Sequence, residues 1–307
     1  MEPDTQRDHS GSAAKYHRTV DEVPGTAHAF ALAFTGHRRR VLELGCAAGH
    51  VSAALKVREH HVVGVEIDPV SAERARSVAD SVHTADLDRT PLTQAVPERD
   101  FDVVLMGDVL EHLRDPLTVL TEARSMLNPT GFAVLSLPNV AFADVRAALL
   151  DGEWTYRDDG LLDATHLRFF TRRSMFELAE RAGFVVTEMR RVIKAPGTSN
   201  VAPSAPVVSP LVRDLLALDP NASTFVFVAK LEQPNASNLE AAQTLRASLD
   251  AEEAAATRLQ RELAGPQGAE LAALNQSREE LVALHNTTLL RAAALPRRIY
   301  ARLRRGR

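Results

Sequence analysis

The sequence predicts an α/β protein built on a doubly wound, mostly parallel seven-stranded sheet, followed by a C-terminal helical extension. Three observations carry this expectation. Short β-branched runs alternate with helix-period segments across residues 25–232, the pattern of strands joined by crossover helices. A glycine-bearing turn, Gly45-Cys46-Ala47-Ala48-Gly49, stands between the first such run and the helical segment after it. Past residue 232 the β-branched runs stop and leucines recur at heptad spacing.

Taken in order, strands are expected at Arg40–Leu44, Val62–Ile67, Val82–Ala85, Phe101–Met106, Gly131–Leu137, Phe184–Val192 and Thr224–Lys230. Helices are expected at Gly25–Phe34, His50–Arg58, Pro69–Ala79, Pro116–Met126 and Arg173–Ala182. The Pro-, Ser- and Val-rich stretch Ala195–Pro210 reads as a loop between the last two strands. Residues 1–24 form a polar segment whose Tyr16 and His17 are placed to fold back over a site. In residues 233–307, Leu245, Leu249, Ala256, Leu259 and Leu263 make a coiled-coil-like seam that Gly265-Pro266 breaks. A second piece carries Leu271, Leu274, Leu281 and Leu284. Such helices pack on their own domain or on a second copy, so a homo-oligomer is one expectation.

With 45% apolar and 25% charged residues, the composition excludes collagen-like and wholly disordered chains. The lone Cys46 excludes an internal disulfide framework and a multi-cysteine zinc site. No carboxylate pair adjoins a His at a convincing ligand spacing, so no metal is expected. No run approaches the ~18 apolar residues of a membrane span, and the first 25 residues carry no secretory pattern. A cytoplasmic protein is therefore expected. Net charge is −4, but the stretch after Leu284 carries seven Arg and no acid, which leaves the preceding body more acidic than the total. An acidic body argues against a nucleic-acid partner. The tail mixes Leu, Ile and Tyr with Arg, which suits peripheral contact with an anionic membrane face or with an acidic protein surface.

Glycines at a strand-to-helix turn let a ligand approach the backbone. A G-x-G-x-x-G fingerprint counted from Gly45 fails at Ala47 and His50, which weakens a dinucleotide reading. The segment Glu43-Leu44-Gly45-Cys46-Ala47-Ala48-Gly49 instead resembles the E-x-G-x-G-x-G motif of class I S-adenosylmethionine-dependent methyltransferases, with Ala47 in place of the middle glycine. That resemblance implies a Rossmann-like methyltransferase fold, S-adenosyl-L-methionine as cofactor, and Glu43, Gly45, Cys46, Ala47 and Gly49 against it. Glu66, with Ile67 beside it, ends the second strand, where a carboxylate can accept from both ribose hydroxyls. Capping of the next helix is better left to Asp68. The resemblance further implies that Asp86 and Leu87 meet the adenine and that Gly107 and Asp108 line the crevice. Asp102, ahead of the buried run, reads as structural. Cys46 sits in a tight turn and pairs with no His, which excludes a nucleophile. His9, His17, His28, His37, His50, His60 and His61 read as solvated.

Beyond the only Trp, Trp154, comes Asp163-Ala164-Thr165-His166-Leu167-Arg168-Phe169-Phe170-Thr171. This stretch resembles methyltransferases of the ubiquinone-biosynthesis type, many of which accompany glycosyltransferases. The resemblance implies a sugar, glycan or glycolipid hydroxyl as acceptor. A quinone or natural-product hydroxyl is the alternative, and a cofactor-binding scaffold without turnover is a second. Methyl transfer from a sulfonium is an in-line displacement, so a hydroxyl acceptor calls for a proton acceptor. His166 is the expected base, with His112 and Asp108 in reserve. The same polar residues can also merely satisfy one another.

Overall fold

The computed structural model describes residues 20, 23–202, 219–261 and 265 of the chain. Its seven strands are β1 (Arg40–Leu44), β2 (His61–Glu66), β3 (Ser81–Thr84), β4 (Phe101–Gly107), β5 (Leu127–Pro138), β6 (Val185–Ile193) and β7 (Thr224–Glu232), in the sheet order β3-β2-β1-β4-β5-β7-β6. The first five pair in parallel, and β7 enters antiparallel between β5 and β6. The order turns round at β1, which lies between β2 and β4. In open α/β sheets ligands bind outside the carboxyl ends of the strands at such a reversal.

The central strands carry apolar residues on both faces because helices cover both. Val41, Leu42 and Leu44 of β1 and Val103, Val104 and Met106 of β4 are fully buried, and burying each aliphatic side chain contributes roughly 1.5–3 kcal/mol. The covering helices are α1 (Ala27–Thr35), α2 (His50–Val57), α3 (Pro69–Ala75), α4 (Leu92–Ala95), α5 (Pro116–Met126), α6 (Ala143–Leu150), α7 (Arg172–Arg181) and α8 (Pro220–Ser223). An Asp-Pro pair opens α3, α5 and α8. In each the Asp side chain accepts a backbone N–H of the first turn, while the Pro fills a position whose N–H has no helical partner. α7 begins with a reciprocal cap between Thr171 and Ser174 and buries Met175, Phe176, Leu178 and Ala179.

All seven expected strands and five expected helices are present, most with ends displaced by one or two residues. Expected β5 begins four residues late, and α3 is four residues shorter at its C-terminal end. The helices α4, α6 and α8 were not expected: two have only four residues, and α6 has no side-chain cap and a weakly sided apolar pattern. His60 departs from the solvated reading. It is buried, accepts the Arg39 N–H at Nδ1 (3.1 Å) and sets Nε2 3.0 Å from the Gly36 carbonyl, tying the loop before β1 to the end of α2. Asp102 is structural as expected, accepting from the Arg40 N–H and the Asn128 amide.

A further helix starts at residue 236 and runs to the end of the first compact unit, Met1–Ala254. Leu245 and Leu249, the first two leucines of the expected seam, pack against the main core. Arg246 pairs with Glu180, and Arg191 with Glu252. These two seam positions are thus satisfied by the chain's own domain. In the second unit, Ala255–Arg307, the described residues 255–261 and 265 are helical and Leu259 is exposed. Tyr16, His17, residues 203–210, Leu263, the later leucine set and the arginine-rich tail lie outside the described residues.

Candidate active site

The turn after β1 is shaped by three left-handed residues in five: Gly45 (φ 67°), Ala47 (φ 46°) and Gly49 (φ 83°). A side chain at Gly45 would put its Cβ 2.7 Å from Val109 Cγ2, and one at Gly49 would come within 3.0 Å of the Ala75 backbone. Both glycines are therefore required by close approach as well as by φ. Ala47 takes the left-handed conformation that suits the glycine of the related motif, at a strain of roughly 1–2 kcal/mol.

Glu66 is buried at the tip of β2 and holds this turn. Its Oε2 accepts the Ala47 N–H (2.8 Å) and its Oε1 the Asp68 N–H (2.9 Å). Burial pushes its carboxyl above the ordinary value despite those bonds. Asp68 caps α3 as expected. Glu43 lies fully buried one strand over and accepts the Ser52 hydroxyl (2.6 Å); burial, opposed by that bond and reinforced by Glu66, pushes its pKa up to about 7. Cys46 turns its side chain into a small cluster with Ala72, Ala75 and Val82, so only its backbone belongs to the turn. Burial and the nearby Glu43 and Glu66 hold its thiol far above the ordinary range, consistent with no nucleophilic role. Ile67 is exposed beside Glu66, while Asp86 and Leu87 are half-buried after β3. Leu87 packs on the main core, and Asp86 accepts the Asp88 N–H, closing its own loop.

Gly107 and Asp108 are exposed at the end of β4. Asp108 is left-handed (φ 52°) and fixed by Ser136, whose hydroxyl accepts the Asp108 N–H (3.0 Å) and donates to its Oδ1 (2.7 Å). A 3₁₀ turn, Leu110–His112, follows. The Glu111 carbonyl accepts the N–H groups of both Leu167 (2.8 Å) and Arg168 (3.0 Å), which fastens the Asp163–Thr171 stretch over this turn. His112 and His166 meet edge-to-face with centroids 4.8 Å apart. The His166 Nδ1 lies 3.2 Å from the Leu161 carbonyl. A carbonyl can only accept, so Nδ1 carries the proton and Nε2 the basic lone pair. Burial, aided by His112, lowers the His166 pKa, so the ring is neutral at pH 7.

The remainder of that stretch is partly self-satisfied. Asp163 Oδ1 accepts both the N–H (2.8 Å) and the hydroxyl (2.7 Å) of Thr165, and Arg168 donates to the Arg114 carbonyl. His112 Nδ1 reaches the Thr165 carbonyl at 3.3 Å.

One site residue was missed by sequence reasoning. Glu111 is fully buried, and among the described residues neither carboxylate oxygen has a hydrogen-bond partner. Burial, with Asp108 and Asp163 adding to it, raises its pKa well above the ordinary value. One of its oxygens and one ring nitrogen each of His112 and His166 lie within 4.8 Å of one another. One carboxylate and two imidazoles form a donor set that suits a divalent cation. The fold assembles it from two separate segments, where the linear sequence showed no ligand spacing.

A glycine turn, an acid at the next strand tip and a histidine-bearing cluster at the reversal point define the Rossmann-like methyltransferase class. The methyltransferase-domain family model matches residues 16–189, and the chain belongs to that family. Among curated relatives, the ubiquinone biosynthesis O-methyltransferase of Cereibacter sphaeroides is 32% identical over 162 residues, which cover 51% of this chain and 64% of that protein. The enzyme of the same name from Aeromonas salmonicida is 26% identical over 161 residues, covering 52% and 68%. The chain thus spans less than two thirds of the Cereibacter relative's length. Among solved structures, a SAM-dependent methyltransferase from Archaeoglobus fulgidus aligns with a TM-score of 0.51 at 17% identity, covering 74% of this chain and all of that one. This likeness bears on the fold.

Proposed function

We propose that the chain is an S-adenosylmethionine-dependent methyltransferase that transfers the methyl group to a hydroxyl of a small molecule. The observation that carries the reading is the contact of Gly45 with Val109, which brings the glycine turn against the segment that carries Asp108 and His112, with His112 edge-to-face on His166. Glu66 holds the ribose, the bare turn seats the amino-acid end, and His166 takes the hydroxyl proton. The O-methyltransferase names of the curated relatives support oxygen as the acceptor atom. They lend no support to a sugar or glycan acceptor. No described helix is long and apolar enough to cross a membrane.

Glu43 gives the cofactor reading a pH signature. Its folded-state pKa of about 7 lies above the ordinary 4.5, so the free protein keeps Glu43 protonated at pH 6. Stability from that proton is present below 4.5 and is lost as pH rises through 7. An ammonium group seated beside Glu43 reverses the preference. S-adenosylmethionine affinity is therefore expected to rise about tenfold between pH 6 and 8, with proton release near pH 6 in titration calorimetry. A flat profile removes Glu43 from contact with the cofactor.

A second reading, favoured by the unpartnered Glu111 carboxylate, has a divalent cation held by Glu111, His112 and His166 polarise the acceptor hydroxyl. One experiment tests both. The full chain is incubated with methyl-labelled cofactor and either catechol or methyl glucopyranoside, each with EDTA or with added Co²⁺. Label in catechol regardless of EDTA supports the histidine base, and label that requires Co²⁺ supports the cation. Tight cofactor binding with no transfer to either compound favours the scaffold alternative.

A further inference from the structure

We propose that Trp154, Tyr156 and Phe169 form the acceptor-recognition wall of this site, selecting a flat, carbon-rich ring that presents its hydroxyl to the histidines; the inference rests on the methyltransferase reading above. The rings form a continuous series. His112 touches His166 (4.8 Å between centroids), His166 touches Phe169 (6.3 Å), Phe169 touches Trp154 (5.2 Å), and Tyr156 lies 6.5 Å from both Trp154 and Phe169. Trp154 stands nearly perpendicular to Phe169 (80°) and Tyr156 (88°), whereas those two are inclined to each other by only 37°. Two near-perpendicular aromatic walls let a planar ring stack on one and meet the other with its edge, the two arrangements aromatic pairs prefer.

Trp154 and Tyr156 are 37% and 52% exposed, yet the loop carrying them is well anchored. Leu161 and Leu162 are buried with Phe142, and Phe169 packs on the same cluster. The Arg157 N–H donates to the Leu162 carbonyl (2.8 Å), and the Asn200 amide donates to Asp159 (2.7 Å). The exposed rings are thus held out on a fixed base. Next to the histidines the polar groups are engaged within the protein, Asp163 with Thr165, Arg168 with the Arg114 carbonyl and His166 Nδ1 with the Leu161 carbonyl. What this wall offers an incoming molecule is carbon surface. A polyhydroxylated sugar, which calls for many hydrogen-bonding partners, fits it less well than an aromatic ring.

Trp154 is the only Trp in the chain, so its fluorescence reports on the wall directly. The full chain, saturated with S-adenosylhomocysteine, is titrated with catechol and, separately, with methyl glucopyranoside. A saturable change in Trp154 emission is expected with catechol and not with the glycoside. Tyr156→Ala should weaken catechol binding about three- to tenfold, the size of one lost aromatic contact, while leaving S-adenosylhomocysteine affinity by calorimetry unchanged; Tyr156→Phe should restore it. No saturable change with catechol, a response to the glycoside instead, or a Tyr156→Ala protein that binds catechol like the parent overturns the proposal. Failure of S-adenosylhomocysteine to bind overturns the methyltransferase reading instead, and catechol titrated alone then still decides whether the wall accepts a flat ring.

Discussion

Replacing Glu66 by Ala is expected to weaken S-adenosylmethionine binding at least tenfold. Two losses combine. The ribose loses two acceptors, each bond worth about 1 kcal/mol or more where a charged group takes part. The turn loses its restraint as well, because the same carboxylate accepts the Ala47 N–H at 2.8 Å and the Asp68 N–H at 2.9 Å. Ala47 stands at φ 46°, a conformation that an alanine keeps only under constraint, so its release lets the ligand-facing backbone relax away from the bound shape. Gln at position 66 keeps one acceptor oxygen and should fall between the two. Calorimetry with S-adenosylhomocysteine measures the affinity, and a thermal melt separates it from unfolding. An Ala variant that stays folded and binds as tightly as the parent would remove Glu66 from the cofactor site.

Much of this site was legible in the sequence because its parts are local. A strand ending in Glu-Leu, a Gly directly after it with another four residues on, and an acid at the next strand tip are each fixed by a few consecutive residues, and the parallel topology then brings them together. The strands were readable for the same reason, since Val-rich runs buried on both faces leave no polar period to mislead. What escaped depends on pairing across the fold. Nothing beside Glu111 in the sequence marks it, and its burial goes with the docking of the Asp163–Thr171 stretch on its backbone carbonyl. His60 reads as a surface residue in the sequence because nothing beside it announces the Gly36 carbonyl and Arg39 N–H that engage it. The heptad leucines were visible, but which surface they cover is a property of α7 and the sheet. Leu245 and Leu249 are taken up in cis.

His166→Ala should lower turnover by roughly 10²- to 10⁴-fold, the usual contribution of a positioned base, with cofactor affinity nearly unchanged because the proposed cofactor contacts lie on the glycine turn and Glu66. The pH profile tests the same assignment. Burial and the neighbouring His112 depress the His166 pKa below 6.5, so the active neutral ring predominates at pH 7, and kcat/KM should stay level above 6.5 and fall only on acidification. By the same sign, the unfolded chain binds the extra proton and stability also declines as pH drops below that value. His112→Ala separates a base from a neighbour. Removing it takes away a like charge that depresses His166, so the acidic limb should move upward while much of the rate survives. If instead His112→Ala and Glu111→Gln abolish turnover as completely as His166→Ala, and EDTA does the same to the parent, the three side chains act together as ligands to a cation. A fully active His166→Ala protein defeats both accounts, because one needs that ring as the base and the other needs it as one of three ligands.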